Sequence, residues 1–121
     1  MRKSFLLTLA SIPLAWACSS SWPEPRQPLA DAEAAARSAR ELGADSQPAA
    51  RLRVTLAEEQ IAAAKASMAK GDNERASYLL MRAKADAELA LALAHEQRAI
   101  QEKQEVLERS KSSTIVNGAT P

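Results

Sequence analysis

Residues 49–70 read Ala-Ala-Arg-Leu-Arg-Val-Thr-Leu-Ala-Glu-Glu-Gln-Ile-Ala-Ala-Ala-Lys-Ala-Ser-Met-Ala-Lys, and Gly71 and Asp72 follow. Within this stretch Val54, Ala57, Ile61, Ala64 and Met68 recur at alternating steps of three and four. That spacing lines up apolar side chains along one side of an α-helix. Beyond Gly71 the pattern resumes at Leu80, Ala83, Ala87, Ala90 and Ala94, with no glycine or proline before Gly118. A connection this short between two long helices returns the second antiparallel to the first. Alanine at most seam positions lets the backbones approach closely and has the highest helix propensity, while its burial contributes little, at about 25 cal/mol per Å². The expected fold class is all-α, an Ala-rich antiparallel helical hairpin or three-helix bundle with one long C-terminal helix.

Outward from that hairpin, Pro28 and Gly43 bracket a first helix from about Leu29 to Leu42. Ser46 and Pro48 open the second, from about Ala49 to Lys70, and Gly71 ends it. Asp72 or Asn73 caps the third, which runs to about Arg109, so the helical domain spans residues 29–109 and residues 110–121 form a disordered polar tail. At 1.5 Å per residue the second helix is ~33 Å long and the third ~55 Å, leaving an overhang of about fifteen residues. Leu93, Ile100 and Leu107 line that overhang at seven-residue spacing, an apolar stripe left either to meet another protein or a second copy of the chain, or to be covered in part by the first helix or fray. The pairs Glu33/Arg37, Lys84/Glu88, Arg98/Glu102 and Glu105/Arg109 add ~0.2–0.5 kcal/mol each.

The N-terminus follows different rules. Arg2 and Lys3 precede an apolar run from Phe5 to Ala17 that is interrupted by Pro13. The run falls short of the ~20 apolar residues needed to cross a bilayer. A charged start, an apolar stretch and small residues before Cys18 make a signal peptide of residues 1–17. Leu14-Ala15-Trp16-Ala17-Cys18 resembles the lipobox of bacterial lipoproteins, although Leu14 stands one place early and Trp16 occupies a position usually held by a small residue. That resemblance implies lipid attachment at Cys18, with diacylglyceryl and palmitate-type chains. Ser19, where no aspartate stands, implies sorting to the outer membrane, facing the periplasm. Ala15-Trp16-Ala17 also fits an ordinary secretory site, which cuts the same bond and leaves a soluble chain. Cys18 is the only cysteine, and without lipid it would carry an unpaired thiol into an oxidising compartment. Residues 18–28 then read as attachment cysteine and linker, with Pro23, Pro25 and Pro28 favouring extended geometry. Trp22 is placed either at the lipid headgroups or in solvent.

Composition narrows the function classes. Removing Arg2 and Lys3 leaves 14 of the 16 basic residues against 15 acidic ones, a net charge of −1. Neither nucleic-acid binding nor a polybasic membrane-surface role, each of which needs a basic excess on one face, is expected. The precursor has 27 alanines, and the mature part keeps no phenylalanine, one tyrosine (Tyr78) and one tryptophan (Trp22). Catalytic constellations are equally thin. His95-Glu96 begins like a zinc-protease motif, but Ala99 stands where the second histidine belongs, and one histidine cannot build the site. Glu58-Glu59 and Asp86/Glu88 read as solvated helix carboxylates, and Arg51 and Arg53 as solvated cations. No catalytic residue, metal site or cofactor other than the covalent lipid is expected.

Four blocks carry a wider resemblance: Asp31-Ala32-Glu33-Ala34-Ala35-Ala36, Ala62-Ala63-Ala64-Lys65, Lys70-Gly71-Asp72-Asn73-Glu74-Arg75-Ala76 and Ala83-Lys84-Ala85-Asp86-Ala87-Glu88-Leu89-Ala90. From Asp31 to about Arg98 the chain resembles the domain of unknown function 4398, a family found in bacterial envelope lipoproteins. The resemblance implies no activity. Some members resemble proteins that continue into a peptidoglycan-binding domain of the outer-membrane-protein-A type, so wall contact by this chain would have to come from its helices or from a partner. The expected function is a non-enzymatic outer-membrane lipoprotein whose helical module is a structural or interaction element of the cell envelope. The alternative is a soluble secreted binder or chaperone-like protein without lipid.

Overall fold

The computed structural model describes residues 21–118, and within that span every regular element is helical. The signal segment, Cys18 and the start of the linker lie outside the described residues. Helix α1 spans Arg26–Glu41, a short 3-10 turn follows at Ala44–Ser46, α2 spans Pro48–Ala69 and α3 spans Asn73–Gly118. The three helices form an up-down-up bundle in which α3 packs against both α1 and α2, while α1 and α2 touch each other less. The three-helix form of the expected fold is therefore the one adopted.

The core is almost wholly alanine. Ala32, Ala36 and Ala39 of α1 are buried, as are Ala50, Val54, Ala57, Ile61 and Ala64 of α2 and Ala76, Leu80, Ala83, Ala87, Ala90 and Ala94 of α3. Every seam position expected on α3 is thus buried. On α2 the same holds except at Met68, which is half-buried at the edge of the core, where Ser67 takes the inner place. Leu80 and Val54 are the largest side chains fully removed from solvent.

Two glycines set the corners. Gly71 adopts φ +76°; its N–H bonds the Met68 carbonyl at 2.9 Å and the Asp72 N–H bonds the Ser67 carbonyl at 3.0 Å. This pair of bonds is the Schellman motif, which satisfies the last carbonyls of α2 and reverses the chain. The Asp72 carboxylate then accepts the Arg75 N–H at 3.2 Å and caps α3. Gly43, at φ +95°, ends α1 in a related way, with its N–H on the Arg40 carbonyl at 2.9 Å.

Three boundaries differ from the sequence expectation. Helix α1 begins at Arg26, so Pro28 lies inside its first turn. The first bond of that helix runs from the Leu29 N–H to the Pro25 carbonyl at 3.1 Å, so the N–H that Pro28 lacks costs nothing. Ser46 does not cap α2. Its hydroxyl donates to the Gly43 carbonyl at 2.7 Å within the 3-10 turn, and the Gln47 side chain takes the capping role by accepting the Ala50 N–H. Finally, α3 continues past Arg109 through Gly118. The hydroxyls of Ser110, Ser112 and Thr114 donate to the carbonyls of Leu107, Glu108 and Ser110, which keeps these polar side chains within the helix rather than competing with it.

Candidate functional site

The features that position this molecule lie at its two ends. At the Gly71 end, the Asn73 amide donates to the Trp22 carbonyl at 3.0 Å, and the Trp22 and Tyr78 rings lie 6.2 Å apart at 46°. That separation is within the range of a favourable aromatic pair. The segment before α1 is therefore tied back onto the first turns of α3 and is not a free spacer. Both rings stay accessible, with Trp22 44% and Tyr78 53% exposed. Cys18, the expected lipid site, precedes this contact by four residues and lies outside the described residues.

At the opposite end α3 outruns the bundle. Ala94 is its last buried residue and Gln97 its last half-buried one; residues 98–115 are all exposed. The three residues of the expected stripe divide across this boundary. Leu93 packs against the core and belongs to the bundle, whereas Ile100 and Leu107 are 43% and 48% exposed. The overhang thus starts later and, through Gly118, runs longer than helix lengths alone suggest. Ile100 and Leu107 prolong the row Leu79, Asp86, Leu93, and that row faces α2 inside the bundle. Asp86 shows this directly, since Arg53 donates to its Oδ1 at 2.9 Å and Gln60 to its Oδ2 at 2.8 Å, both from α2. Arg53 is accordingly an inter-helix partner and no open anion site.

A third feature escaped the sequence reading. Between α1 and α2 runs an open groove of about 360 Å³ floored by Ala36, Ile61 and Ala62. Two ionic bridges cross it. The Arg40 guanidinium donates to both Glu58 carboxylate oxygens at 2.6 Å each and to Asp45 at 2.5 Å, and Lys65 meets Glu33 at 2.6 Å. Hydrogen bonds from Arg40 hold the Glu58 carboxyl below the usual carboxylate range, and those to Glu58 and Asp45 raise the Arg40 guanidinium above its own. Glu33 therefore reaches across to α2 and does not pair with Arg37 along its own helix. The signal for this is a seven-residue, two-turn step from Glu33 to Arg40 along one face of α1, which only the position of α2 makes meaningful.

Of the residues weighed for chemistry, His95 and Glu96 are exposed at the start of the overhang. Among the described residues no group of three or more His, Cys, Asp or Glu side chains is placed to hold a metal ion. None of the described helices is long and apolar enough to cross a membrane.

Residues 27–106 match the family described as domain of unknown function (DUF4398). The chain belongs to that family. No curated protein and no solved structure matches it. The DUF4398 match takes in all of α2, nearly all of α1 and α3 as far as Val106, so Leu93 and Ile100 fall within the family region and Leu107 just outside it.

Proposed function

We propose that this DUF4398 protein is a non-enzymatic lipoprotein of the bacterial outer membrane, anchored by lipid on Cys18 and facing the periplasm. Its helical bundle acts as a structural or interaction module, and the α3 overhang is the part that meets an envelope protein or a second copy of the chain. The observation that carries this reading is the polarity of the molecule. The segment leading back to Cys18 is tied to the Gly71 end by Asn73 and Tyr78, and the unpartnered part of α3 leaves from the other end. An anchor at one end and a free helix at the other is the geometry of a tethered arm. Two or three acyl chains suit the anchor, since each buried CH₂ contributes ~0.8 kcal/mol and one chain alone is reversible.

Palmitate labelling in cells, with and without globomycin, tests the anchor. Label on the mature chain and accumulation of the precursor under globomycin are the expected results. A Cys18→Ala variant that still fractionates with the outer membrane would refute it, and the soluble binder would then be the reading to pursue.

A further inference from the structure

The mature chain has only two aromatic side chains, Trp22 and Tyr78, and the fold brings them together although they are 56 positions apart in sequence. They meet at the end of the bundle from which the chain runs back, four residues, to Cys18, and both are half open to solvent. Core packing does not explain them, because neither belongs to the buried cluster or to the side chains packed against it. Arg75 and Arg82 stand three residues before and four after Tyr78, on its side of α3, and share with it a shallow hollow of about 300 Å³. Neither arginine has an ion-pair partner among the described residues. Asp72 and Glu74 also line the hollow, but the Asp72 carboxylate is engaged as the cap of α3.

We propose that this flank of the Gly71 end docks on a phospholipid surface. Trp22 and Tyr78 sit at headgroup level, where amphipathic rings are favoured, and Arg75 and Arg82 face lipid phosphates. The inference rests on the reading of Cys18 as the anchor, because four residues of chain span at most about 14 Å. A lipid on Cys18 that enters the bilayer brings Trp22 within that distance of its surface, and Asn73 and Tyr78 bring the start of α3 with it. Docking goes further than tethering. It fixes which side of the bundle is covered and leaves Ile100 ~33 Å along α3 from Tyr78, at 1.5 Å per residue, available to a partner.

The test moves the single tryptophan onto α3. The processed protein carrying Trp22→Phe and Tyr78→Trp keeps an aromatic pair and reports from position 78. It is reconstituted into vesicles of phosphatidylethanolamine and phosphatidylglycerol containing phosphatidylcholine brominated near the headgroup end of its acyl chains. Docking predicts that the indole at position 78 is quenched by the brominated lipid and shielded from acrylamide. Adding Arg75→Ala and Arg82→Ala lowers the docked-to-free ratio by roughly 30-fold, with each basic residue at an anionic surface taken as about 1 kcal/mol. The mass of the mature N-terminus is read on the same sample. An acylated chain whose indole is open to acrylamide and untouched by bromine overturns docking and leaves the anchor standing. An unacylated chain whose indole is quenched supports docking and overturns the anchor.

Discussion

Helix α3 is one continuous element with two different lives. From Ala76 to Ala94 its inner seam is alanine and leucine, every seam residue is buried, and two other helices lie against it. Continue the same steps of three and four and the seam becomes Gln97, Gln101, Gln104 and Glu108, all past Gln97 exposed. Neither glycine nor proline marks the change. The difference teaches that helix length and helix partnership are encoded separately. Propensity and i,i+4 pairs such as Arg98–Glu102 at 3.1 Å and Glu105–Arg109 at 3.4 Å carry the helix outward. Small apolar residues on one face decide how far a partner follows. The overhang keeps only Ile100 and Leu107 in its former α2-facing row, flanked by glutamine and lysine, which suits a wet and reversible contact better than an obligate one.

The sharpest way to break this comparison is to truncate a leucine in each half. Leu80→Ala removes one of the two largest fully buried side chains from a core that has few others. It is expected to cost about 3 kcal/mol in urea unfolding followed by circular dichroism, as lost transfer energy plus a cavity. Leu107→Ala in the overhang should shift the midpoint by less than ~0.5 kcal/mol. Equal losses would mean that the overhang is packed in solution.

Enlarging an alanine asks the same question from the other side. Ala87 is fully buried between backbones that alanine allows to approach, so Ala87→Leu is expected to cost about 2 kcal/mol by overpacking. Ala99→Leu, at an exposed position, should be neutral within ~0.5 kcal/mol. Gly71→Ala comes next. A Cβ there meets no atom within 4 Å, so the cost is purely that of the left-handed backbone at φ +76°. That is about 1 kcal/mol after the stiffer unfolded chain is credited, readable as a shift in thermal midpoint.

Why some of this was legible in the sequence and some was not follows from the range of the interactions. The seams Val54–Ala64 and Leu80–Ala94 and the Gly43 and Gly71 corners depend on residues within one or two turns, and they are where the sequence placed them. The third helix's end was missed because Ser110, Ser112 and Thr114 were read by composition, when each hydroxyl finds a carbonyl one turn back. Ser46 does not cap α2 because its hydroxyl turns back to the Gly43 carbonyl inside the 3-10 turn, and the helix starts one residue later than a Ser46 cap requires, with Gln47 accepting the Ala50 N–H. At the candidate sites the limit is distance. Nothing local links Trp22 to Tyr78 and Asn73, or Arg40 to Glu58, because each pairing exists only once the bundle is closed.

The smallest effect sharpens the comparison most finely, because both halves of the molecule carry ion pairs of opposite purpose. Arg40–Glu58 joins α1 to α2 across a groove, whereas Arg98–Glu102 only decorates one helix. Both partners of the first pair are about two-fifths exposed, 39% and 44%, so water screens them strongly. Double-mutant cycles with alanine should give a coupling of about 0.5–1 kcal/mol for Arg40–Glu58, aided by its bidentate geometry, and about 0.3 kcal/mol for Arg98–Glu102. The two separate further with pH. Because Arg40 lowers the pKa of Glu58 in the folded chain, the stabilisation is fully present above the unfolded carboxylate's pKa. It is lost as the pH falls through the lower folded value, so the cycle repeated in increasingly acid buffer should lose its coupling. Asp45 remains beside Arg40 in the Glu58→Ala background and keeps the guanidinium charged and bonded there, so what the cycle reads is the bond across the groove. Coupling that survives in strong acid would mean that the Arg40 and Glu58 side chains are held together by packing and not by charge.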